Sequence, residues 1–262
     1  MGSPFEWLRS IARSRGDNDH LAVEALSALG ALAHDPAQLM VACRRVLAHH
    51  PSHGALWWTA SRLLAAPDVD AAFRETYEHL TNDRTAARLR DALPFVDDGK
   101  TIATIGFSGA IAEALEARFD VEVLAIVDED DRVACRRAEE RAGLIDAWQL
   151  NDLGAVLLLI PAHAVCTDRA IVNVEVLDAF TEAPTLPTWL VASAGRIVPN
   201  RLFDAMVAAL RAAGSNDVDN ERLAVIDLGR IETVVTSDGL DSPIDLKSRI
   251  SCPIAPELLR PF

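Results

Sequence analysis

Apolar residues recur at helical spacing along the first third of the chain. Steps of three or four residues separate Leu21, Ala25, Leu29 and Leu32. The same spacing continues over residues 37–48, and further helices are predicted over residues 54–66 and, with more charge, over residues 70–93. We therefore expect a helical domain over residues 1–95, which ends at a turn formed by Asp97-Asp98-Gly99.

After residue 100 the pattern changes to short aliphatic runs that alternate with amphipathic segments. Strands are predicted over residues 101–105, 121–127, 155–160, 188–192, 223–227 and 233–236. Helices are predicted over residues 110–118, 132–142, 175–180 and 199–213, and a weak extra strand over residues 146–149. Alternating strands and helices are typical of an α/β fold. We expect residues 96–262 to form a Rossmann-like domain, with a mostly parallel, doubly wound sheet.

One strand of this predicted sheet leads directly into a polar segment. The run from Val156 to Ile160 is aliphatic throughout, which is typical of a strand that is buried on both faces. Ligands of open α/β sheets bind at the carboxyl ends of the strands. The polar residues that follow are therefore the first site candidates: His163, Thr167, Asp168, Arg169 and Asn173.

A second candidate is the turn after the first predicted strand, which contains Gly106, Ser108 and Gly109. A glycine turn that leads into a helix capped by serine can hold a phosphate through free backbone N–H groups. The spacing lacks the third glycine of a complete dinucleotide-binding motif. The glycines can equally be explained by the geometry of a tight turn. The sequence leaves both interpretations open.

The polar segment resembles the signature of a known family. This family contains the α, β and δ subunits of eukaryotic initiation factor 2B, methylthioribose-1-phosphate isomerase and ribose-1,5-bisphosphate isomerase. Its members carry Gly-Ala-Asp-x-Val, two residues, Asp-Gly, a short apolar stretch, Asn-Lys and Gly-Thr. The corresponding pieces here are Pro161-Ala162-His163-Ala164-Val165, Asp168-Arg169, Asn173-Val174 and Glu175-Val176. Residues 50–58, 186–192 and 231–239 also resemble family segments, and Arg196 lies where many members have lysine.

The departures from this signature bear on catalysis. The resemblance implies that a cysteine after the first strand and the aspartate of Gly-Ala-Asp would carry an aldose-ketose phosphate isomerisation. Gly106 and His163 occupy these two positions. Glycine has no side chain that could supply a thiol or a proton, so we expect a divergent member without the usual isomerase chemistry.

The preferred function is therefore binding in a regulatory role. The ligand would be a phosphorylated sugar or nucleotide, or a protein partner, and no cofactor is expected. The candidate ligand-binding residues are Gly106, Ser108, Gly109, Asn173 and Arg196. The alternative is an active isomerase in which His163 acts as general base, assisted by Asp168 or Cys166. A third possibility is a translation-associated assembly subunit with no small ligand, which predicts a large exposed apolar patch.

Composition limits the remaining possibilities. A formal net charge of −14 argues against direct binding of nucleic acid. The longest apolar run is too short to span a membrane, and the first residues lack a secretory pattern, so a cytoplasmic protein is expected. The four cysteines show no C-x-x-C pair, so neither a metal site nor a disulfide framework is expected. A homodimer is implied by the family resemblance.

Overall fold

The computed structural model describes residue 11 and residues 20–93, 100–116, 118–129, 131–213 and 222–260. The turn predicted at residues 97–99 lies outside the described residues. Within the described part, no helix has both the length and the apolar character needed to cross a membrane.

The first part of the chain is helical, as predicted. Its helices are α1 (Leu21–Gly30), α2 (Pro36–His49), α3 (Gly54–Ala65), α4 (Val69–Thr81) and α5 (Thr85–Ala92). The single long helix expected over residues 70–93 is wrong, because the chain breaks between α4 and α5. The Asp83 carboxylate accepts hydrogen bonds from both the N–H and the hydroxyl of Thr85, at 2.9 and 2.6 Å. A carboxylate that accepts a hydrogen bond from a free backbone N–H favours the start of a new helix at that point.

The second part contains the predicted mostly parallel sheet. Its strands are β1 (Thr101–Ile105), β2 (Glu122–Ile126), β3 (Gly143–Leu144), β4 (Ala155–Pro161), β7 (Thr188–Ala192), β9 (Thr233–Thr236) and β10 (Gly239–Asp241). They lie in the order β10-β9-β7-β4-β1-β2-β3, and among these seven strands β10 alone is antiparallel to its neighbour. The strand order reverses between β1 and β4, which is the topological switch point where open α/β sheets form a crevice.

Two predicted strands are wrong in placement. Residues 223–227 do form a strand, β8 (Leu223–Asp227), but it belongs to a separate three-stranded sheet with β5 (Ala164–Val165) and β6 (Arg169–Asn173). β8 pairs antiparallel with β6 there. Residues 147–149 form a 3₁₀ helix, and the edge strand β3 precedes it. Such short elements carry too few residues for a periodic pattern.

Helices α6 (Gly109–Leu115), α7 (Arg132–Arg141), α8 (Glu175–Glu182) and α9 (Asn200–Ala213) complete the fold. The apolar core of the helical part continues into the second part of the chain. Trp57 of α3 and Leu26 of α1 belong to the same buried cluster as Ile171 of β6 and Phe203 of α9. Contacts between the two parts therefore help to position the segment that follows β4.

Candidate functional site

A small cleft lies at the switch point, between the carboxyl ends of β1 and β4. Its volume is about 40 Å³. The residues that line it include Gly106, Ser108, Asp131, Arg137, His163 and Asn173. Four of these six were predicted from the sequence, so the structure brings together the turn after β1 and the two ends of the β5–β6 segment.

Gly106 occupies a position where a larger residue would be crowded. Its φ is +75°, in the left-handed region that favours glycine. A Cβ at Gly106 would lie 3.1 Å from Nδ2 of Asn173 and 3.3 Å from Cγ of Pro161. Asn173 and Pro161 therefore already fill the space into which a side chain at this position would project.

His163 is held by Asn173. Nε2 of His163 lies 2.7 Å from Oδ1 of Asn173. An amide oxygen can only accept, so Nε2 is the ring nitrogen that donates in this hydrogen bond. The neutral imidazole then has its lone pair on Nδ1. The hydrogen bond fixes both the orientation and the tautomer of the ring.

The backbone of His163 is fixed as well. Its carbonyl oxygen accepts hydrogen bonds from the N–H of Gly54, at 3.0 Å, and from Nη1 of Arg196, at 3.2 Å. Arg196 is buried. The predicted ligand-binding guanidinium thus supports the segment that carries His163, and α3 begins directly against it.

The predicted phosphate cradle contributes a helix start to the cleft. Gly109 is the first residue of α6, and the Ser108 hydroxyl accepts from the N–H of Ile111 at 3.4 Å. The predicted cap is therefore confirmed. Because this hydroxyl caps the helix, it stabilises the start of α6 in addition to lining the cleft.

Cys166 and Asp168 lie away from His163, at the closed end of the β5–β6 hairpin. His163 is at the open end, beside Asn173, and three residues of extended chain separate it from Cys166, about 10 Å. Burial raises the pKa of the Cys166 thiol, which donates to Oδ1 of Asp168 at 3.3 Å. The hydrogen bond from this thiol lowers the pKa of Asp168. The structure does not bring these two groups to the imidazole.

Two residues of the cleft wall were not predicted as site residues. Asp131 follows β2, where it accepts from the N–H groups of Val133 and Ala134 and so caps α7. Arg137 lies on α7. The helical periodicity of this charged segment does not show which side meets the sheet, so the sequence carries no signal for Arg137.

A half-buried carboxyl group lies at the start of α8. Glu175 is the first residue of this helix, and its Oε2 is buried without a hydrogen-bond partner in the described part of the chain. Burial raises the pKa of Glu175, and the charge of Asp128 adds to this effect. Asp128 itself pairs with Arg222 at 2.5 Å. Glu175 therefore begins the helix, as expected, but in a poorly hydrated place.

No three His, Cys, Asp or Glu side chains of the described residues are grouped so that they could hold a metal ion. His50, one of the histidines near the start of α3, instead has its Nε2 2.7 Å from the carbonyl oxygen of Ile11.

Comparison with solved structures identifies the fold. The translation initiation factor eIF-2B of Pyrococcus horikoshii OT3 superimposes with a TM-score of 0.66 at 16% identity, over 92% of this chain and 97% of that chain. The tetrameric eIF2B-β2-δ2 complex of C. thermophilum gives 0.64 at 12% identity, over 94% and 93%. The δ subunit of eIF-2B from A. fulgidus gives 0.57 at 12% identity, over 98% and 91%.

No protein-family model matches the sequence, and no curated protein does either. The solved structures span nearly the whole of this chain and nearly the whole of their own length, so the similarity covers the helical part and the sheet together. The resemblance predicted from the polar segment is thus confirmed for the fold, and this chain has an eIF2B-like fold.

Proposed function

We propose that this chain acts by binding rather than by catalysis, as a regulatory or scaffold subunit of an eIF2B-like assembly. The observation that carries this proposal is the crowding at Gly106. The side chain that the isomerases use at this position is absent, and Asn173 and Pro161 lie within 3.3 Å of where its Cβ would be. His163 alone remains of the two reacting positions, and its Nε2 is engaged by Asn173.

The size of the cleft also favours binding of a protein over a sugar phosphate at this edge. A small-molecule site usually offers at least about 300 Å³, and one water molecule occupies about 30 Å³ in the liquid. The cleft of about 40 Å³ is near the lower of these two values. A phosphorylated sugar would need Asn173, His163 or α7 to move before it could enter.

An exposed apolar patch supports association with a second copy of the chain. Leu144 of β3, Trp148 of the following 3₁₀ helix and Leu177 of α8 are 51%, 60% and 45% exposed. The 3₁₀ helix packs beside α8, so the elements that carry Trp148 and Leu177 are neighbours. Large apolar side chains at a surface are typical of interaction sites. One structural neighbour is itself a tetrameric complex, and we propose that this chain forms a homodimer through the patch.

Sedimentation velocity of the purified chain tests this association. We expect a dimer of about twice 28.4 kDa at micromolar concentration. Trp148→Glu should shift the protein to monomer, because it places a charge in the apolar contact. The matched control is Ile244→Glu, since Ile244 is 86% exposed in a different 3₁₀ helix, Pro243–Ser248. A wild-type monomer, or equal behaviour of both variants, would contradict the proposed dimer face.

A thermal-shift titration with ribose 5-phosphate tests the small-ligand alternative at the sheet edge. A ligand that binds the folded chain alone raises Tm by mass action. We expect His163→Ala and the wild type to respond alike. A rise in Tm that His163→Ala abolishes would show that the cleft opens for a phosphorylated sugar.

A further inference from the structure

A second and much larger cleft lies where the break between α4 and α5 meets the β9–β10 turn. Its volume is about 460 Å³, against about 40 Å³ at the switch point. We call it the arginine cleft, and the residues that line it are Glu75, Glu78, His79, Asn82, Arg84, Arg88, Ser237 and Asp238. A volume in this range is typical of sites for small molecules.

The wall of the arginine cleft is fixed by hydrogen bonds across the chain. The N–H of Arg84 donates to Oγ of Ser237 at 3.0 Å, which joins the start of α5 to the β9–β10 turn. Oδ2 of Asp83 accepts from the N–H of Ala194 at 3.0 Å, which joins the same helix start to the loop after β7. Because these hydrogen bonds hold the wall in place, the cleft has its shape before any ligand binds.

Two arginines line this cleft at the start of α5. Arg84 immediately precedes the helix, and Arg88 lies in its first turn. Across the described residues, neither takes part in an ion pair with a carboxylate, whereas Arg62 pairs with Glu75 at 3.0 Å nearby. An anionic ligand would supply the partner in charge that these two arginines lack among the described residues.

Acidic side chains and a histidine also line the cleft. Glu75, Glu78 and Asp238 bring carboxylates to the cleft, and Glu75 is the one that pairs with Arg62. The ring of His79 is stacked on Trp58, with centroids 4.8 Å apart, and burial lowers the pKa of His79. The ring nitrogens of His79 can accept or donate a hydrogen bond.

We propose that the arginine cleft is a binding site for a small organic phosphate that also carries an ammonium group. Arg84 and Arg88 bind the phosphate, and the carboxylates of Glu78 and Asp238 bind the ammonium end. This site is separate from the switch-point cleft and does not depend on the proposed function. Because the cleft lies between the start of α5 and the β9–β10 turn, the ligand would brace the helical part against the sheet.

Titration of the ¹⁵N-labelled full chain with inorganic phosphate and with phosphoethanolamine tests this site by NMR at constant ionic strength. The arginine Nε–H signals are the readout, and each is assigned by its loss in the corresponding arginine-to-lysine variant. We expect saturable shifts of the Arg84 and Arg88 signals, with phosphoethanolamine binding more tightly than phosphate. The signal of Arg90 should stay in place, because Arg90 pairs with Asp91 on the same helix.

Variants separate the two halves of the site. Arg88→Lys keeps the charge but loses the forked donor, and we expect it to weaken phosphoethanolamine binding about tenfold. Asp238→Asn should remove the advantage of phosphoethanolamine over phosphate. Arg84→Gln changes an exposed side chain and therefore keeps the test valid if Arg88→Lys folds poorly. Shifts that do not saturate with either probe, or equal affinity for Arg84→Gln and Arg90→Gln, would overturn the proposal.

Discussion

At the residue scale, the chemistry of the switch-point cleft is decided by Gly106 and Asn173. The family resemblance predicts that Gly106 stands at the position of a reactive cysteine, and the residue's identity shows that it has no thiol. The sequence could not predict that Asn173 fills the space beside it, since that contact joins residues 67 positions apart through the fold. The hydrogen bond between His163 and Asn173 was beyond prediction for the same reason.

Gly106→Ala should destabilise the chain by about 2 kcal/mol. The new Cβ costs about 1 kcal/mol for the positive φ and a similar amount for crowding against Asn173 and Pro161. Gly154→Ala is the matched control, because Gly154 has φ +65° but a Cβ added there would meet nothing within 4 Å. Urea unfolding should show the control losing only about 1 kcal/mol. Equal losses in the two variants would mean that Asn173 and Pro161 do not crowd the site.

Glu175→Gln should stabilise the chain at pH 7. Because burial raises the folded-state pKa of Glu175 above its ordinary value of 4.5, the unfolded state holds fewer protons once the pH exceeds 4.5. The wild type therefore loses stability as the pH rises from 4.5 through the folded-state pKa, and the glutamine variant does not. Thermal unfolding at pH 4 and pH 7 measures the difference, which should shrink at the lower pH. Asp178→Asn, in the same first helical turn but exposed, is the control. A larger effect of Asp178→Asn would contradict this role of burial.

At the scale of elements, most of the helices and the parallel strands could be predicted. Long amphipathic helices and short aliphatic strands give clear periods, and β1 and β7 have the predicted bounds. β8 was assigned to the wrong sheet because its apolar run identifies a strand but not its partner. The break before α5 was missed because helical periodicity continues across Asp83, whose side chain ends the pattern only through its hydrogen bonds.

Gly54→Ala tests how α3 meets the segment after β4. A Cβ at Gly54 would lie 2.6 Å from the carbonyl oxygen of His163, a backbone atom that cannot rotate away. We expect a loss of about 2–3 kcal/mol in urea unfolding, although alanine normally favours a helix. Gly143→Ala is the control, because its Cβ would meet only the flexible end of Leu124, at 3.1 Å. If Gly54→Ala left the free energy of unfolding unchanged, it would show that α3 does not press on His163.

At the scale of the whole molecule, an eIF2B-like fold is combined with a switch-point cleft of only about 40 Å³. The larger cleft lies elsewhere, between the helical part and the carboxyl end of β9. The sequence indicated the fold through the resemblance of its polar segment. It could not indicate the arginine cleft, because the β9–β10 turn follows α4 and α5 by about 150 residues and meets them only in the folded chain.

The central claim, that this chain does not isomerise sugar phosphates, is tested most directly by proton NMR. Ribose 1,5-bisphosphate and 5-methylthioribose 1-phosphate are each incubated with the purified full chain, and the appearance of the ketose is followed. We expect a rate equal to that without protein, for the wild type and for His163→Ala alike. Ketose formation by the wild type that His163→Ala abolishes would contradict the claim and establish His163 as a catalytic base.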